Sequence, residues 1–142
     1  MASVPVYYYS SVSNLTGRFA EHLAEQTGRA VHNLADAEVR HRELGDAWVL
    51  LTPSYKAGNA DEVTLPAPVR AFLRSAANRR HLVGIIGSGN RNFGEYYQAA
   101  ARELATASGR PVLFEFELSG TPEDVDACAA ILQDLDEALA AR

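Results

Sequence analysis

Five short apolar runs, separated by segments of helical period, set the tightest limit on how this chain folds. The runs fall at residues 4–9, 30–34, 47–51, 82–86 and 112–118. Strands covered on both faces read as continuous apolar stretches, and helical crossovers between them are what parallel pairing requires. The pattern predicts an α/β protein built on a doubly wound five-stranded parallel sheet of order 2-1-3-4-5. Pro5 must stand at the very start of the first strand, because an interior strand needs its ladder N–H groups. The fifth run differs from the others. Its Val112, Phe114, Phe116 and Leu118 alternate with Leu113, Glu115 and Glu117, which leaves one face largely wet and suits an edge strand.

Between the runs, helix signals are clear in four places. The first helix puts Leu15, Phe19 and Leu23 on one stripe and ends near Gly28. A second starts at residues 66–68 with Val69, Phe72, Leu73 and Ala76 facing inward, and a third covers 93–108. The last opens on Thr121-Pro122-Glu123-Asp124, a capping hydroxyl followed by proline and acids in the first turn. Residues 35–46 make only a short polar connection with a weak helical turn. A chain of 142 residues that is 47% hydrophobic can bury one real core, so residues 1–142 are expected to form a single domain.

Charge and cysteine content narrow the function classes. The last helix carries Glu123, Asp124, Asp126, Asp134, Asp136 and Glu137 against Arg142, leaving twelve acids and twelve bases in residues 1–122. The net charge of −5 therefore belongs to that helix, read as a solvated face, and it argues against nonspecific nucleic-acid binding. The single Cys128 excludes an internal disulfide framework and sits at helical spacing between Val125 and Leu132, as a buried packing thiol does. No apolar run has the length of a membrane span and the first residues lack the pattern of a signal peptide, so the expected compartment is the cytoplasm, with no membrane partner.

Chemistry concentrates in three loops. Residues 10–17 read Ser10-Ser11-Val12-Ser13-Asn14-Leu15-Thr16-Gly17, which gathers four hydroxyls, an amide and no charge at the start of a helix. A helix N-terminus presents unpaired N–H groups and about half a positive charge, so this loop can hold a terminal phosphate without Lys or Arg. In an open sheet of the predicted order the switch point lies between strands one and three, and ligands sit outside the carboxyl ends there. Residues 52–65 meet the same point with Thr52-Pro53-Ser54-Tyr55-Lys56-Ala57-Gly58-Asn59, an aromatic plane, a flexible backbone and the protein's only lysine. Residues 87–94, Gly87-Ser88-Gly89-Asn90-Arg91-Asn92-Phe93-Gly94, add close-approach glycines, two amides and a second aromatic. The run is not a dinucleotide fingerprint, because its glycine spacing is wrong and it follows the fourth strand. A phosphate seat, two aromatics and several amide donors around one crevice suit a flat conjugated ring with a phosphorylated tail, and FMN fits that description.

These residues also carry a family resemblance. The stretch from Tyr9 to Thr16, Pro53-Ser54-Tyr55, the Gly87 to Gly94 run and Phe116-Glu117-Leu118-Ser119-Gly120-Thr121 together closely resemble the NrdI family of small flavodoxin-like proteins, over essentially the whole chain. The third loop is the most specific part, since ordinary flavodoxins share the hydroxyl loop but not that run. The resemblance implies a flavodoxin-like fold, FMN as cofactor and service to class Ib ribonucleotide reductase. In that family the reduced flavin reacts with dioxygen and passes superoxide or a related oxidant to the dimanganese site of the small subunit (NrdF type), where a tyrosyl radical forms. An electron donor such as a flavodoxin or ferredoxin reductase is implied as well. Carried over by position, the likeness makes Ser10, Ser11, Ser13, Asn14 and Thr16 phosphate ligands, Tyr55 and Phe93 ring-stacking partners, and Asn90 and Asn92 a frame for the polar ring edge. Leu15, Pro53, Ser54, Lys56, Gly58, Ser88 and Gly89 complete the implied cofactor-binding set. One departure is visible: Lys56-Ala57 precede Gly58 where family members often have a run of glycines, so the loop is expected to flip less freely.

Two other readings fit the residues, a general flavodoxin-type electron carrier and a flavin-free module for a phosphorylated metabolite or a protein. No triad, acid/base carboxylate pair, P-loop lysine motif or metal-ligand spacing occurs, and His22, His32, His41 and His81 are scattered. The expectation is a redox accessory protein rather than a stand-alone enzyme.

Overall fold

Residues 3–54, 65–90 and 98–142 are described by the computed structural model. They form β1 (Val6–Tyr8), α1 (Leu15–Thr27), β2 (Val31–Asn33), α2 (Ala37–Arg40), β3 (Trp48–Pro53), α3 (Ala67–Phe72), α4 (Ala76–His81), β4 (Leu82–Gly89), α5 (Ala99–Ser108), β5 (Val112–Glu117) and α6 (Pro122–Ala140). All pairings are parallel and the sheet order is β2-β1-β3-β4-β5, as the alternation of apolar runs predicts.

Alternation along the central strands distributes the core between the two faces. Val6, Tyr8, Val49, Leu51 and Ile86 pack with Phe19 and Leu23 of α1 and with Val125, Cys128 and Leu132 of α6. Tyr7, Trp48, Leu50 and Ile85 pack on the other side with Val69 and Phe72 of α3 and Ala101 of α5. The ends of α1 and α6 follow local signals: Gly28 takes the left-handed conformation as C-cap, and Thr121 and Asp124 form a reciprocal capping box.

Several strand limits differ from those expected. β1 and β2 are shorter than the apolar runs, and Pro5 stands just outside β1, where its carbonyl accepts from Val49 N. β3 continues through Thr52 and Pro53, and β4 through Gly87, Ser88 and Gly89, so both strands take up the opening residues of loops two and three. Pairing explains the extension, because Thr52↔Gly87 and Pro53↔Ser88 continue one ladder while Gly87↔Glu115 and Ser88↔Phe116 continue the next. β5 is an edge strand, but Leu113 does not face water. The register skips it between Val112 and Phe114, and its side chain lies over Gly84, where any Cβ would collide with it.

The expected second helix is two helices, and Ala76 is exposed rather than inward. Helix α3 stops at Phe72, and Ser75 caps α4 by accepting from Asn78 N. The break turns Asn78 inward as a hub. Its Nδ2 donates to the carbonyls of Arg42 and Phe72, its Oδ1 accepts from Leu44 N, and its own carbonyl accepts from Trp48 Nε1 at 2.8 Å. A continuous helix would leave buried Trp48 and the 42–44 backbone without these partners.

Asp136 corrects the reading of the last helix as uniformly solvated. It is buried and paired with buried Arg29, Nη2 to Oδ2 at 2.9 Å and Nη1 to Oδ1 at 3.1 Å. The same pair closes on the chain start, since Val4 N donates to Asp136 Oδ1 and Arg29 Nη1 donates to Val4 O. Removing one member strands a buried charge. Asp136→Ala is expected to lower the unfolding free energy by about 3–5 kcal/mol in urea denaturation, and Arg29→Met with Asp136→Leu to cost less. Cys128 is fully buried beside this pair, and burial pushes its thiol up to about 12 against an opposing pull from Arg29. Iodoacetamide at mildly alkaline pH is expected to leave Cys128 unmodified in the native protein and to label it once denaturant is added, read by mass spectrometry.

Candidate functional site

The carboxyl ends of β1, β3 and β4 lie side by side, and the loop leaving β1 folds over the other two. Tyr9 N donates to Leu51 O, which extends the β1–β3 contact past the strand. The chain then turns tightly: Asn14 N donates to Ser11 O, Ser11 and Ser13 hydroxyls lie 3.0 Å apart, and Asn14 takes the left-handed conformation at the head of α1. Gly17 leaves room for the Asn14 carboxamide, which bends over the first turn and would have to move for any Cβ at position 17.

Helix α1 begins with backbone donors that lack intrahelical acceptors. Ser10 Oγ accepts the one from Gly17 at 2.9 Å. Those of Leu15 and Thr16 have no acceptor among the described residues. Both residues line a cleft of about 150 Å³ shared with Ser11 and Ser13, with Pro53 and Ser54 from the end of β3, and with Ser88, Gly89 and Asn90 at the end of β4. No charged side chain lines it among the described residues. Pockets that take a whole small-molecule ligand run to roughly 300–1,000 Å³, so this cleft suits one end of such a ligand.

The structure thus gathers Ser11, Ser13, Leu15, Thr16, Pro53, Ser54, Ser88, Gly89 and Asn90 around one space. Ser10 and Asn14 are not among its lining residues; Ser10 Oγ accepts from Gly17 N and Asn14 heads α1. Tyr55, Lys56, Gly58, Asn92 and Phe93 lie outside the described residues. Three further hydroxyls in the cleft are engaged with protein: Thr16 Oγ1 lies 2.8 Å from Ser88 Oγ, and Ser54 Oγ accepts from Ala100 N at 2.8 Å, tying the start of α5 to the end of β3.

Two residues, one on the rim of the cleft and one beneath the end of β4, carry no local sequence signal. Leu118 was placed by alternation on the inner face of the fifth strand; instead the strand ends at Glu117, and Leu118 turns to positive φ (58°), 45% exposed, on the rim of the cleft. Its N–H donates to Gly89 O, and that bond holds a conformation which is an outlier for a bulky residue. Gln98 also has positive φ and is fully buried at the head of α5, its Nε2 donating to Phe116 O. Gly87 is a close-approach glycine, but what approaches is Gln98 together with Ala101, which a Cβ at position 87 would strike. Only the positive-φ turn at Gly120, whose missing Cβ leaves room for Phe19, hints in the sequence that the chain bends after β5.

The sheet order and a hydroxyl-lined cleft at the N-terminus of the first helix define a flavodoxin-like protein. Oxidised flavodoxin 2 from Bacillus cereus superposes with a TM-score of 0.61 over 95% of this chain and 99% of that one at 17% identity. A Fusobacterium nucleatum flavodoxin bound to flavin mononucleotide gives 0.54 over 96% and 98% at 16%. These likenesses concern the fold. Sequence comparison is sharper: residues 6–130 match the sequence model of the NrdI flavodoxin-like family. The chain is 40% identical over 120 residues to protein NrdI of Bartonella tribocorum, covering 84% of this chain and 86% of that protein. With protein NrdI of Streptococcus pyogenes serotype M4 it shares 35% over 136 residues, 95% and 91% of the two chains. The chain belongs to the NrdI flavodoxin-like family.

No helix among the described residues is long and apolar enough to cross a membrane, and no cluster of His, Cys, Asp and Glu among them is arranged to hold a metal. Because Ser54 Oγ accepts one of the first N–H groups of α5, Ser54→Ala is expected to cost about 1 kcal/mol, visible as a lowered thermal midpoint and earlier amide exchange at the start of α5.

Proposed function

We propose that this chain is an FMN-binding redox protein that activates class Ib ribonucleotide reductase in the cytoplasm, supplying superoxide from reduced flavin and dioxygen to the dimanganese small subunit of NrdF type. Residues 1–142 act as one flavodoxin-like domain, and an electron donor of the flavodoxin- or ferredoxin-reductase kind recharges it. The observation that carries this reading is the match of residues 6–130 to the NrdI family, made on a fold whose uncharged cleft suits a phosphate.

The donor set fits the cofactor's tail. Ser11, Ser13 and Thr16 and the N–H groups of Leu15 and Thr16 would hold the phosphate at the positive end of α1, where hydrogen bonds to an ionised acceptor are about twice as strong as neutral ones. Ser10 and Asn14 keep the loop in the shape that presents those donors. Pro53, Ser54, Ser88, Gly89 and Asn90 carry the wall from the phosphate toward the ring. By the family likeness, Tyr55 and Phe93 would stack on the ring, Asn90 and Asn92 would frame its polar edge, and Lys56 and Gly58 would belong to the same cofactor-binding set. When bound, FMN supplies the one- and two-electron chemistry, and the protein supplies position and electrostatics. Lys56, the cation of the second loop, would attract superoxide leaving the crevice, as a positive charge focuses small anions.

The purified protein is expected to be yellow, with stoichiometric FMN. Reduced and mixed with dioxygen and a manganese-loaded class Ib small subunit, it is expected to raise the tyrosyl-radical signal in electron paramagnetic resonance well above that of the subunit, manganese and dioxygen alone. A protein that stays colourless and takes up no FMN at micromolar concentration overturns the cofactor assignment. A flavin-loaded protein that leaves the radical signal at background overturns the role in ribonucleotide reduction and leaves a general electron carrier.

A further inference from the structure

One pair of hydroxyls joins two loops of the site that are far apart in sequence. Thr16 Oγ1 and Ser88 Oγ lie 2.8 Å apart across 72 positions of the chain, with Thr16 5% and Ser88 2% exposed, and both residues line the cleft. Two hydroxyls bring two protons, and their mutual bond uses one. The second has no acceptor among the described residues. Ser11 and Ser13 form a similar pair, but Ser13 is exposed and Ser11 half-buried, so water serves their spare proton. The buried Thr16–Ser88 pair has only the cleft that both residues line as an outlet for its spare proton, and leaving that proton unbonded is costly. Among the described residues, the Thr16–Ser88 pair is therefore complete only when an acceptor enters the cleft.

The bond between the two hydroxyls can run in either direction, and their settings favour one. Ser88 is held in β4 with ladder partners on both sides, Pro53 and Phe116, whereas Thr16 sits in the first turn of α1 among the unpaired N–H groups that favour an anion. We infer that Ser88 is a positioning residue: it donates to Thr16 Oγ1, turns the Thr16 proton outward to the phosphate, and so makes the cleft choose a phosphorylated flavin over its dephosphorylated counterpart. The inference rests on the FMN reading of the cleft. Ser88 acts on the phosphate through Thr16.

The test compares FMN and riboflavin binding to the apoprotein by flavin fluorescence quenching, for wild type, Ser88→Ala and Ser88→Cys. A hydrogen bond that serves an ionised group is worth enough to shift affinity about tenfold. Ser88→Ala is expected to weaken FMN by about that factor and to leave riboflavin within about twofold, collapsing the preference. Ser88→Cys, close in volume but a poor donor, is expected to move the ratio in the same direction and decides the matter if the alanine variant does not fold. Equal weakening of both ligands, or an unchanged FMN affinity, overturns the inference, since a role in cleft shape alone would not distinguish the two flavins. Wild-type protein that binds neither flavin sinks the FMN reading itself, a result distinct from loss of the ratio.

Discussion

Burial of β3 and its neighbours on both faces is the constraint from which the rest of the architecture follows. Val6, Trp48, Val49, Leu50, Leu51, Ile85 and Ile86 are wholly inaccessible, so helices must cover each side and the strands must be joined by crossovers rather than hairpins. Parallel strands end together. The first β-to-α turn and the ends of β3 and β4 are thereby brought to one edge of the sheet, and the order β2-β1-β3-β4-β5 opens the crevice there. The cleft is thus a by-product of how the core is closed, and its chemistry is whatever the chain writes into those turns.

What the chain writes differs at the two ends of the sheet. At the amino ends of the strands a charged pair, Arg29 and Asp136, ties the start of the chain to α1 and α6 with a fork of bonds that leaves both groups buried. At the carboxyl ends the polar groups that line the cleft among the described residues are neutral hydroxyls, amides and backbone N–H groups. A buried charge survives only with a fixed counter-charge, which would compete with an incoming anion. Neutral donors carry no such partner, so they are free to be completed by a ligand.

The sheet, its order and the two long helices were legible because they depend on local periodicity and caps: Leu15, Phe19 and Leu23 mark α1 without reference to anything distant, and Thr121 with Asp124 marks the start of α6. Features set by partners far along the chain were not legible. Pro53, Gly87, Ser88 and Gly89 lack strong strand propensity and become strand only because ladders run on past Leu51 and Ile86. Asp136 looks like its exposed neighbours Asp134 and Glu137 until Arg29, 107 positions away, is placed against it. The helix break before Ser75 answers to Trp48, and the offset of Leu113 answers to Gly84. In the site the hydroxyl loop announced itself by composition, whereas Gln98 and Leu118 owe their positive φ to contacts with Phe116 and Gly89 that no local pattern encodes.

The end of β4 shows how these parts act together. Consecutive residues of a strand face opposite sides of the sheet. Gly87 faces the α5 layer, where its missing Cβ admits the Gln98 carboxamide and Ala101, while Ser88 faces the α1 layer and meets Thr16. Gly89, the next residue, offers its carbonyl to Leu118 and draws in the turn after β5. Three successive positions thereby fix the start of α5, the first turn of α1 and the rim beyond β5 to one rigid strand paired on both sides. A side chain at 87 would push Gln98 outward and disturb the start of α5, and a slip of one residue would exchange the faces of Gly87 and Ser88. The Gly-Ser-Gly sequence is therefore a packing requirement first, and the cleft inherits its geometry from it.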